Sequence, residues 1–281
     1  GPSAHGARVG RIKTAPACSH VPELPEVETC RRALAPRLAG RTLTDAVTPW
    51  PRAAATPLVV TGRCIVRLDR RGKFLLLRLD RGWLVIHLRM TGRLVVVREL
   101  PPRTTAAFQL DGDEWFCLVD VRKFGRAWQV ARASEVVGHL GPEPLSRHFT
   151  AARFSAMLAP RRARLKPLLL NQRFLAGLGN IYVDESLHAA RIHPLRTANT
   201  LSTGEVRRLH RYIRTILRAA ITEGGTTIQN FAGPDGKPGR FRSRLRVFRR
   251  SGEACGGCGT IIERSVVAQR GTHFCPHCQR L

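Results

Sequence analysis

Hydrophobic and polar positions in the first half of the chain predict β-strands. Residues 73–79 and 83–88 are two largely apolar runs separated by Asp80-Arg81-Gly82, a pattern typical of a hairpin with a short glycine-containing loop. Further β-like segments follow at residues 94–97, 106–110, 114–119 and 126–130. Before them, apolar residues recur at helical spacing over residues 26–38, and Pro36 and Gly40 are expected to end that helix. The pattern predicts a β-sandwich with one helix at its edge.

The second half of the chain is predicted to be helical. Ser202 and Glu205 form a capping box ahead of an apolar stripe that stops at Gly224-Gly225, which indicates an amphipathic helix. The expected fold class is therefore α+β. The predicted division is a disordered extension or tag (1–21), a β-sandwich domain (22–140), a linker (141–145), a helical domain (146–242) and a C-terminal finger (243–281).

Four cysteines near the C-terminus have the spacing of a zinc site. Two residues separate Cys255 from Cys258, sixteen residues follow, and two residues separate Cys275 from Cys278. Four thiolates at this spacing close a tetrahedral structural site around one Zn²⁺, with disulfides as the weaker alternative. The apolar residues between the two pairs alternate as in a β-hairpin. The remaining four cysteines are scattered, which favours a reducing compartment and hence a cytoplasmic protein.

The chain is strongly basic, and this charge indicates the kind of partner it binds. The formal net charge is +27 and the sequence pI is about 11.6, which points to an anionic polymer as partner, nucleic acid first of all. An arginine-favouring codon bias is the alternative explanation. The sequence has no apolar run of membrane-spanning length, so no membrane partner is expected, and it gives no sign of a nucleotide cofactor.

The stretch PELPEVE, which begins at Pro22, carries candidate chemistry. A proline at a free N-terminus has a secondary amine, and such an amine can form an iminium with an opened sugar, as Schiff-base lysines do with carbonyls. Glu23 would stand beside that nucleophile. Taken alone, the stretch also fits a plain helix start, with Pro25 in the first turn and acids where the helix dipole favours them.

Several motifs together resemble the formamidopyrimidine-DNA glycosylase family of helix-two-turns-helix repair enzymes. These are PELPEVE, GLGNIYVDESL around Asn180, DGKPG around Lys237 and the four-cysteine finger, and the resemblance covers residues 22–281. It implies that Pro22 is the nucleophile, Glu23 the general acid and Lys73 a catalytic phosphate contact. It also implies that Asn180 and Arg270 hold phosphates beside the lesion, and that Lys237 lies in a DNA-contacting lid.

The resemblance also assigns a group that fills the void left by the everted base, namely Met90, Arg122 and Phe124. Without the resemblance, Met90 and Phe124 would more often be core residues, GLGN a plain turn and the DGKPG segment a flexible loop. The chain departs from the family pattern at three positions in these loops: Arg89 replaces a glycine, Val121 a proline and Lys123 an arginine. Loop shape and opposite-base preference are therefore open.

The function implied is that of a bifunctional DNA glycosylase and AP lyase, expected to act as a nucleoid-associated monomer on oxidised purines in duplex DNA. DGKPG favours this branch over an endonuclease VIII-like enzyme for oxidised pyrimidines. Residues 1–21 raise a conflict, because Pro22 joined to Val21 is an amide and cannot attack. We expect Val21 to be a GTG initiator that is removed; if the extension is retained, a non-catalytic zinc-dependent damaged-DNA-binding protein is the alternative.

Overall fold

The computed structural model describes residues 21–227, 234, 236 and 238–281. The helices are α1 (Leu24–Leu38), α2 (Ser134–Val137), α3 (Ala151–Leu158), α4 (Leu165–Leu170), α5 (Asn180–Ala190) and α6 (Thr203–Thr222). The strands are β1 (Thr42–Val47), β2 (Arg63–Arg71), β3 (Phe74–Leu79), β4 (Trp83–His87), β5 (Arg93–Val97), β6 (Thr104–Leu110), β7 (Glu114–Val119), β8 (Arg126–Val130), β9 (Glu263–Val267) and β10 (Arg270–Phe274). The predicted α+β class is confirmed.

The N-terminal half is an antiparallel β-sandwich. Its eight strands follow the order β5-β7-β6-β1-β2-β3-β4-β8, and the join between the two layers is the short pairing of β1 with β2. Inward-facing side chains from both layers, including Leu77 and Phe108, form one buried core with the apolar face of α1. The predicted hairpin is β3-β4, paired from Phe74 and His87 to Arg78 and Trp83.

Helix α1 is longer than its sequence pattern suggested. It begins at Leu24, and the expectation that Pro36 ends it is wrong, because Pro36 lies inside its last turns and the helix continues to Leu38. One proline there removes a single backbone donor, and the buried side chains of Leu34 and Leu38 hold the turn against the sandwich. The helix also contacts α6, so it links the sandwich to the helical half.

The helical half packs around a separate apolar core. Phe149, Phe154 and Tyr182 are fully buried in it, and Leu24 at the start of α1 inserts into the same core. The capping box predicted for α6 is present: the Ser202 hydroxyl accepts the Glu205 N–H, and the Glu205 carboxylate accepts the Ser202 N–H. Leu24 therefore fixes the residue before it, Glu23, against the helical half.

Ion pairs and hydrogen bonds hold the segment between the two halves against the β-sandwich. Arg70 donates to the Glu143 carboxylate over 2.9 Å and Arg71 donates to it over 3.1 Å, while the Gly72 N–H bonds the same group. Arg71 also donates to the Leu140 carbonyl over 2.9 Å. Residues 140–143 thus pin the turn between β2 and β3, and with it Lys73, to the helical half.

Two buried acids of α5 hold the C-terminal part of the chain: Glu185 binds the segment that leads into the finger, and Asp184 binds strand β10. Glu185 accepts the backbone N–H groups of Arg246, Val247 and Phe248 over 2.8, 3.0 and 2.8 Å. Asp184 accepts the His273 N–H over 2.9 Å. Among the residues that the structure describes, no helix is long and apolar enough to cross a membrane.

Candidate active site and nucleic-acid interface

Glu23 is buried where the two halves of the molecule meet, and its carboxylate caps the start of α5. Its oxygens accept the Gly179 N–H over 2.7 Å and the Ile181 N–H over 2.9 Å. The N-terminus of a helix presents unpaired N–H groups and a positive dipole end, so it is a natural place for a carboxylate. The PELPEVE and GLGN motifs, which are far apart in sequence, therefore build one site.

The glycines of the GLGN turn make this close approach possible. A Cβ atom on Gly179 would lie 2.4 Å from the Glu23 carboxyl carbon. Gly177 has a φ of +88°, and a Cβ there would lie 2.6 Å from Leu24 Cδ1. The Gly177 carbonyl accepts the Leu24 N–H over 3.0 Å. Both positions need glycine for reasons of space, and Gly177 for its backbone conformation as well.

Burial changes the acid–base behaviour of this site. The pKa of Glu23 is raised to about 7, chiefly because burial disfavours the carboxylate, while the charge of Lys73 opposes the rise. The pKa of Lys73 is lowered, again mainly by burial, against the pull of Glu23 and Glu26. Glu23 and Lys73 are therefore electrostatic neighbours, although they come from different elements. A carboxyl with a pKa near 7 can give and take a proton at neutral pH.

Pro22 directly precedes Glu23 in the chain and is buried. Its nitrogen is bonded to Val21, so it is an amide. The position is suitable for a nucleophile beside a general acid, and the amine itself requires cleavage of the Val21–Pro22 bond.

Glu26 is a site residue that the sequence interpretation did not single out. It is fully buried and accepts the Tyr182 hydroxyl over 2.5 Å, the Thr226 N–H over 2.7 Å and the Glu23 N–H over 2.8 Å. Burial raises its pKa, and the Tyr182 hydrogen bond opposes that rise. The sequence shows that Glu26 is an acid in the first turn of a helix. Its hydrogen-bond partners Tyr182 and Thr226 are too distant in sequence to be inferred.

Asn180 and Arg270, the two predicted phosphate contacts, are brought together by the hairpin. Asn180 Nδ2 donates to the carbonyl of Gly271, the residue after Arg270, over 2.8 Å. The buried Lys166 ammonium also donates to the Gly271 carbonyl, over 3.2 Å, and pairs with Asp184 over 2.6 Å. The Arg270 side chain is exposed. The N-terminus of α5 and the tip of the hairpin thus form one positively charged edge beside Glu23.

Met90, Arg122 and Phe124 lie on two loops that follow β4 and β7. Arg122 is exposed, Phe124 is 43% exposed and Met90 is half-buried. The Arg122 guanidinium lies 5.0 Å from the centroid of the Phe124 ring. The alternative of a core position is therefore wrong for Phe124, whose ring projects from the sandwich.

Arg89 and Lys123, two of the positions that differ from the family pattern, have an unusual backbone conformation. Arg89 has a φ of 55° and Lys123 a φ of 58°, in the left-handed region that glycine adopts most readily. A glycine at 89, as in the family pattern, would suit this conformation. The Lys123 ammonium lies 4.3 Å from the centroid of the Trp50 ring, a contact that supports the loop.

Lys237, predicted to lie in a DNA-contacting lid, is outside the described residues. The base of that segment is described: Gly239 donates its N–H to the Thr227 hydroxyl over 2.8 Å, and Phe241 donates its N–H to the Gly225 carbonyl over 3.1 Å. Gly225 has a φ of +85°, and a Cβ there would lie 2.9 Å from the Glu26 carboxylate. The segment therefore starts and ends beside the Glu26 network.

The four C-terminal cysteines form a group suited to zinc. Ligand atoms of Cys255, Cys258, Cys275 and Cys278 all lie within 4.8 Å of one another. Four thiolates this close together suit Zn²⁺ and would fill its four positions, so the site is structural. The predicted zinc cofactor is confirmed. The Gln279 amide supports the site by accepting the Cys275 N–H over 2.9 Å and donating to the Ile192 carbonyl over 2.9 Å.

Three family models together span most of the chain. Residues 21–127 match the formamidopyrimidine-DNA glycosylase N-terminal domain, and residues 140–232 match the formamidopyrimidine-DNA glycosylase H2TH domain. Residues 252–281 match a zinc finger found in FPG and IleRS. A sandwich, a helical domain and a finger in this order define a DNA-repair glycosylase.

Relatives and solved structures agree with this class. The chain is 45% identical to the formamidopyrimidine-DNA glycosylase of Edwardsiella ictaluri, with 92% of this chain and 100% of the relative covered. It is 46% identical to the MutM (Fpg) protein in a crystal structure from Thermus thermophilus, with a TM-score of 0.86 and 92% and 98% coverage. A complex of a Lactococcus lactis Fpg mutant with Fapy-dG-containing DNA matches at 36% identity and a TM-score of 0.86, with 92% and 100% coverage. The chain belongs to the formamidopyrimidine-DNA glycosylase family, whose members combine DNA glycosylase and AP lyase activities.

Proposed function

We propose that this enzyme removes oxidised purines, namely 8-oxoguanine and formamidopyrimidines, from duplex DNA in base-excision repair and then cuts the strand at the resulting site. The observation that carries the proposal is the buried Glu23 carboxyl, with a pKa near 7, held beside Pro22 by the N-terminus of α5. We propose further that it acts as a monomer on the bacterial nucleoid.

The chemistry follows from the atoms at this site. The Pro22 secondary amine, once free of Val21, attacks the deoxyribose C1′ of the flipped nucleotide and forms a C–N bond. Protonated Glu23 gives its proton to the ring oxygen, the C1′–O bond opens, and the base leaves with the glycosidic electron pair. The iminium then makes the C2′ hydrogen acidic, so β-elimination expels the 3′-phosphate and δ-elimination the 5′-phosphate. Lys73 contributes positive charge beside Glu23.

DNA binding in this proposal is mainly electrostatic. The chain carries a formal charge of +27. Asn180 and Arg270 lie on the edge formed by α5 and the hairpin, and Lys73 approaches Glu23 from the turn between β2 and β3. Met90, Arg122 and Phe124 would occupy the space vacated by the flipped nucleotide and offset part of the free energy lost to unstacking.

The choice of oxidised purines rests on the DGKPG sequence and on relatives. Solved structures similar to this chain hold Fapy-dG-containing DNA and carbocyclic 8-oxo-G-containing DNA. The four-cysteine finger holds the structural zinc, and its role is to fix the hairpin that carries Arg270, because Cys275 directly follows β10.

Borohydride trapping tests the proposal directly. Reduction of the iminium joins enzyme to DNA covalently, so a chain beginning at Pro22 is expected to give a cross-link with duplexes containing 8-oxoguanine. The matched control is the chain that retains residues 1–21, whose Pro22 nitrogen is an amide and should give none. A parallel duplex with thymine glycol distinguishes the pyrimidine-directed alternative.

The non-catalytic alternative is favoured by one observation, the peptide bond between Val21 and Pro22. N-terminal sequencing of the protein from its own host decides between the two. A retained extension together with undiminished strand cleavage would overturn the proline mechanism.

A further inference from the structure

Asp120 is a buried carboxylate that neither the chemistry nor the phosphate contacts use. It is 0% exposed and lies at the end of β7, just before the loop that carries Arg122 and Phe124. Its Oδ1 accepts the Arg122 N–H over 3.0 Å. Its Oδ2 accepts the Phe124 N–H over 2.8 Å and the Gly125 N–H over 2.6 Å.

The same carboxylate also reaches the other loop. The Thr91 hydroxyl, one residue after Met90, donates to Asp120 Oδ1. One oxygen therefore binds both the Thr91 hydroxyl and the Arg122 N–H, and it joins two loops that are 29 residues apart. These hydrogen bonds compensate the free-energy cost of burying a carboxylate.

The loop of Met90 has little freedom apart from this contact. Gly92 donates its N–H to the Leu88 carbonyl over 3.0 Å, and a Cβ on Gly92 would lie 2.4 Å from that oxygen. The Arg89 N–H donates to His87 Nδ1 over 2.9 Å, and burial lowers the pKa of His87 to about 3, so its ring is a neutral acceptor. Each loop is held by hydrogen bonds within itself, and the hydrogen bond from Thr91 to Asp120 links the two loops directly.

We propose that Thr91 and Asp120 are positioning residues that join Met90, Arg122 and Phe124 into one wedge with a fixed spacing. The proposal rests on the proposed function, in which Met90, Arg122 and Phe124 occupy the space vacated by the flipped nucleotide, next to the base that has lost its partner. Because Arg122 and Thr91 bond the same oxygen, breaking the link frees the Arg122 backbone to move relative to Met90. We therefore assign to this pair a share in discriminating cytosine from adenine opposite the lesion.

The test compares Thr91→Val, which keeps the side-chain shape and removes the hydroxyl, with Thr91→Ser, which restores the hydroxyl. The matched control is Thr56→Val, since the Thr56 hydroxyl is also half-buried and donates to a carbonyl, that of Gln129 over 2.9 Å, near the end of β8 that is remote from both loops. Single-turnover excision is measured with 8-oxoguanine opposite cytosine and opposite adenine, together with borohydride trapping at a preformed abasic site.

Thr91→Val is expected to slow excision opposite cytosine about tenfold, the effect of one lost charge-assisted hydrogen bond, and to reduce the cytosine-over-adenine preference. Trapping at the abasic site should stay within about twofold, because the chemical groups are untouched. Thr91→Ser should recover the preference, and Thr56→Val should keep it.

An unchanged preference in Thr91→Val, or an equal loss in Thr56→Val, would overturn the proposal. If the wild-type chain beginning at Pro22 excises no 8-oxoguanine, the proposed function itself fails, and the two failures are thereby distinguished. Asp120→Asn provides a second measurement. The NH₂ group of the asparagine would lie against backbone N–H groups that need an acceptor, so this variant should lower the preference at least as much as Thr91→Val.

Discussion

Gly179 and Glu23 are in direct contact across the interface between the two halves of the molecule. The Gly179 N–H donates to the Glu23 carboxylate over 2.7 Å, although 156 positions separate the two residues in the chain. The absence of a side chain at 179 lets the carboxylate come this close, since a Cβ would lie 2.4 Å from its carbon. The helical half therefore sets the position and, through burial, the acidity of a group carried by the other half.

Gly179→Ala is expected to lower excision by at least about a hundredfold, because Glu23 must move away from the helix terminus that orients it. Binding to undamaged duplex, which depends on phosphate contacts, should change little. Single-turnover excision and fluorescence anisotropy measure the two effects. Gly204→Ala is the control, since a Cβ there meets its nearest atom at 3.9 Å; equal losses in both variants would contradict the assignment.

Glu23→Gln is expected to keep lesion binding and to abolish base release, because the amide cannot donate the proton needed at the sugar oxygen. In the wild type, the protonated fraction of Glu23 falls as pH rises through about 7, and this loss of the acid limits excision on the alkaline side. The free α-amino group, with an ordinary pKa near about 8, loses its attacking form as pH falls. Rates measured from about pH 5 to about pH 9 should trace a bell, and a rate still rising at the alkaline end would remove Glu23 as the acid.

The strands that could be predicted from sequence are β3 to β8, which have strong apolar runs, and the hairpin between the two cysteine pairs, which is β9-β10. Strands β1 and β2 were missed because at least half of the residues in their sequences, TLTDAV and RCIVRLDRR, are polar, and their conformation depends on pairing with β6 and β3. The metal site could be predicted because its ligands follow a local spacing. Glu26 could not, because its contact with the Thr226 N–H spans 200 positions, and neither could the link from Asp120 to Thr91.

Lys166→Met is expected to destabilise the protein by about 3–5 kcal/mol, because it leaves the buried Asp184 carboxylate without its ammonium partner at 2.6 Å. Both side chains are 0% exposed. Urea unfolding measures the change. In the control, Arg132→Ala removes a pair with Glu135 at 3.8 Å in which Arg132 is 83% exposed, and such exposed pairs contribute about 0–1 kcal/mol. Similar losses in the two variants would contradict the importance given to burial.

Cys258→Ser is expected to lower the zinc content below about one ion per chain and to weaken DNA binding, because the thiolates fix the hairpin that carries Arg270. A colorimetric chelator measures the zinc released on denaturation, and anisotropy measures binding. Cys64→Ser changes a half-buried cysteine outside the finger and should affect neither. Full DNA affinity in a zinc-free protein would show that contacts with α5, such as that of Asp184 with His273, position the hairpin without the metal.

Arg270→Ala should weaken binding to damaged and undamaged duplexes by similar factors, because a phosphate contact carries no base information. The slope of log affinity against log salt concentration should become shallower by about 1, the share of a single phosphate contact. Arg132→Ala removes one positive charge at an exposed site beside α2 and should leave the slope nearly unchanged, which separates a local contact from the general effect of net charge. If both variants shift the slope equally, Arg270 contributes only to the overall field of the protein, and the edge formed by α5 and the hairpin is not the phosphate clamp.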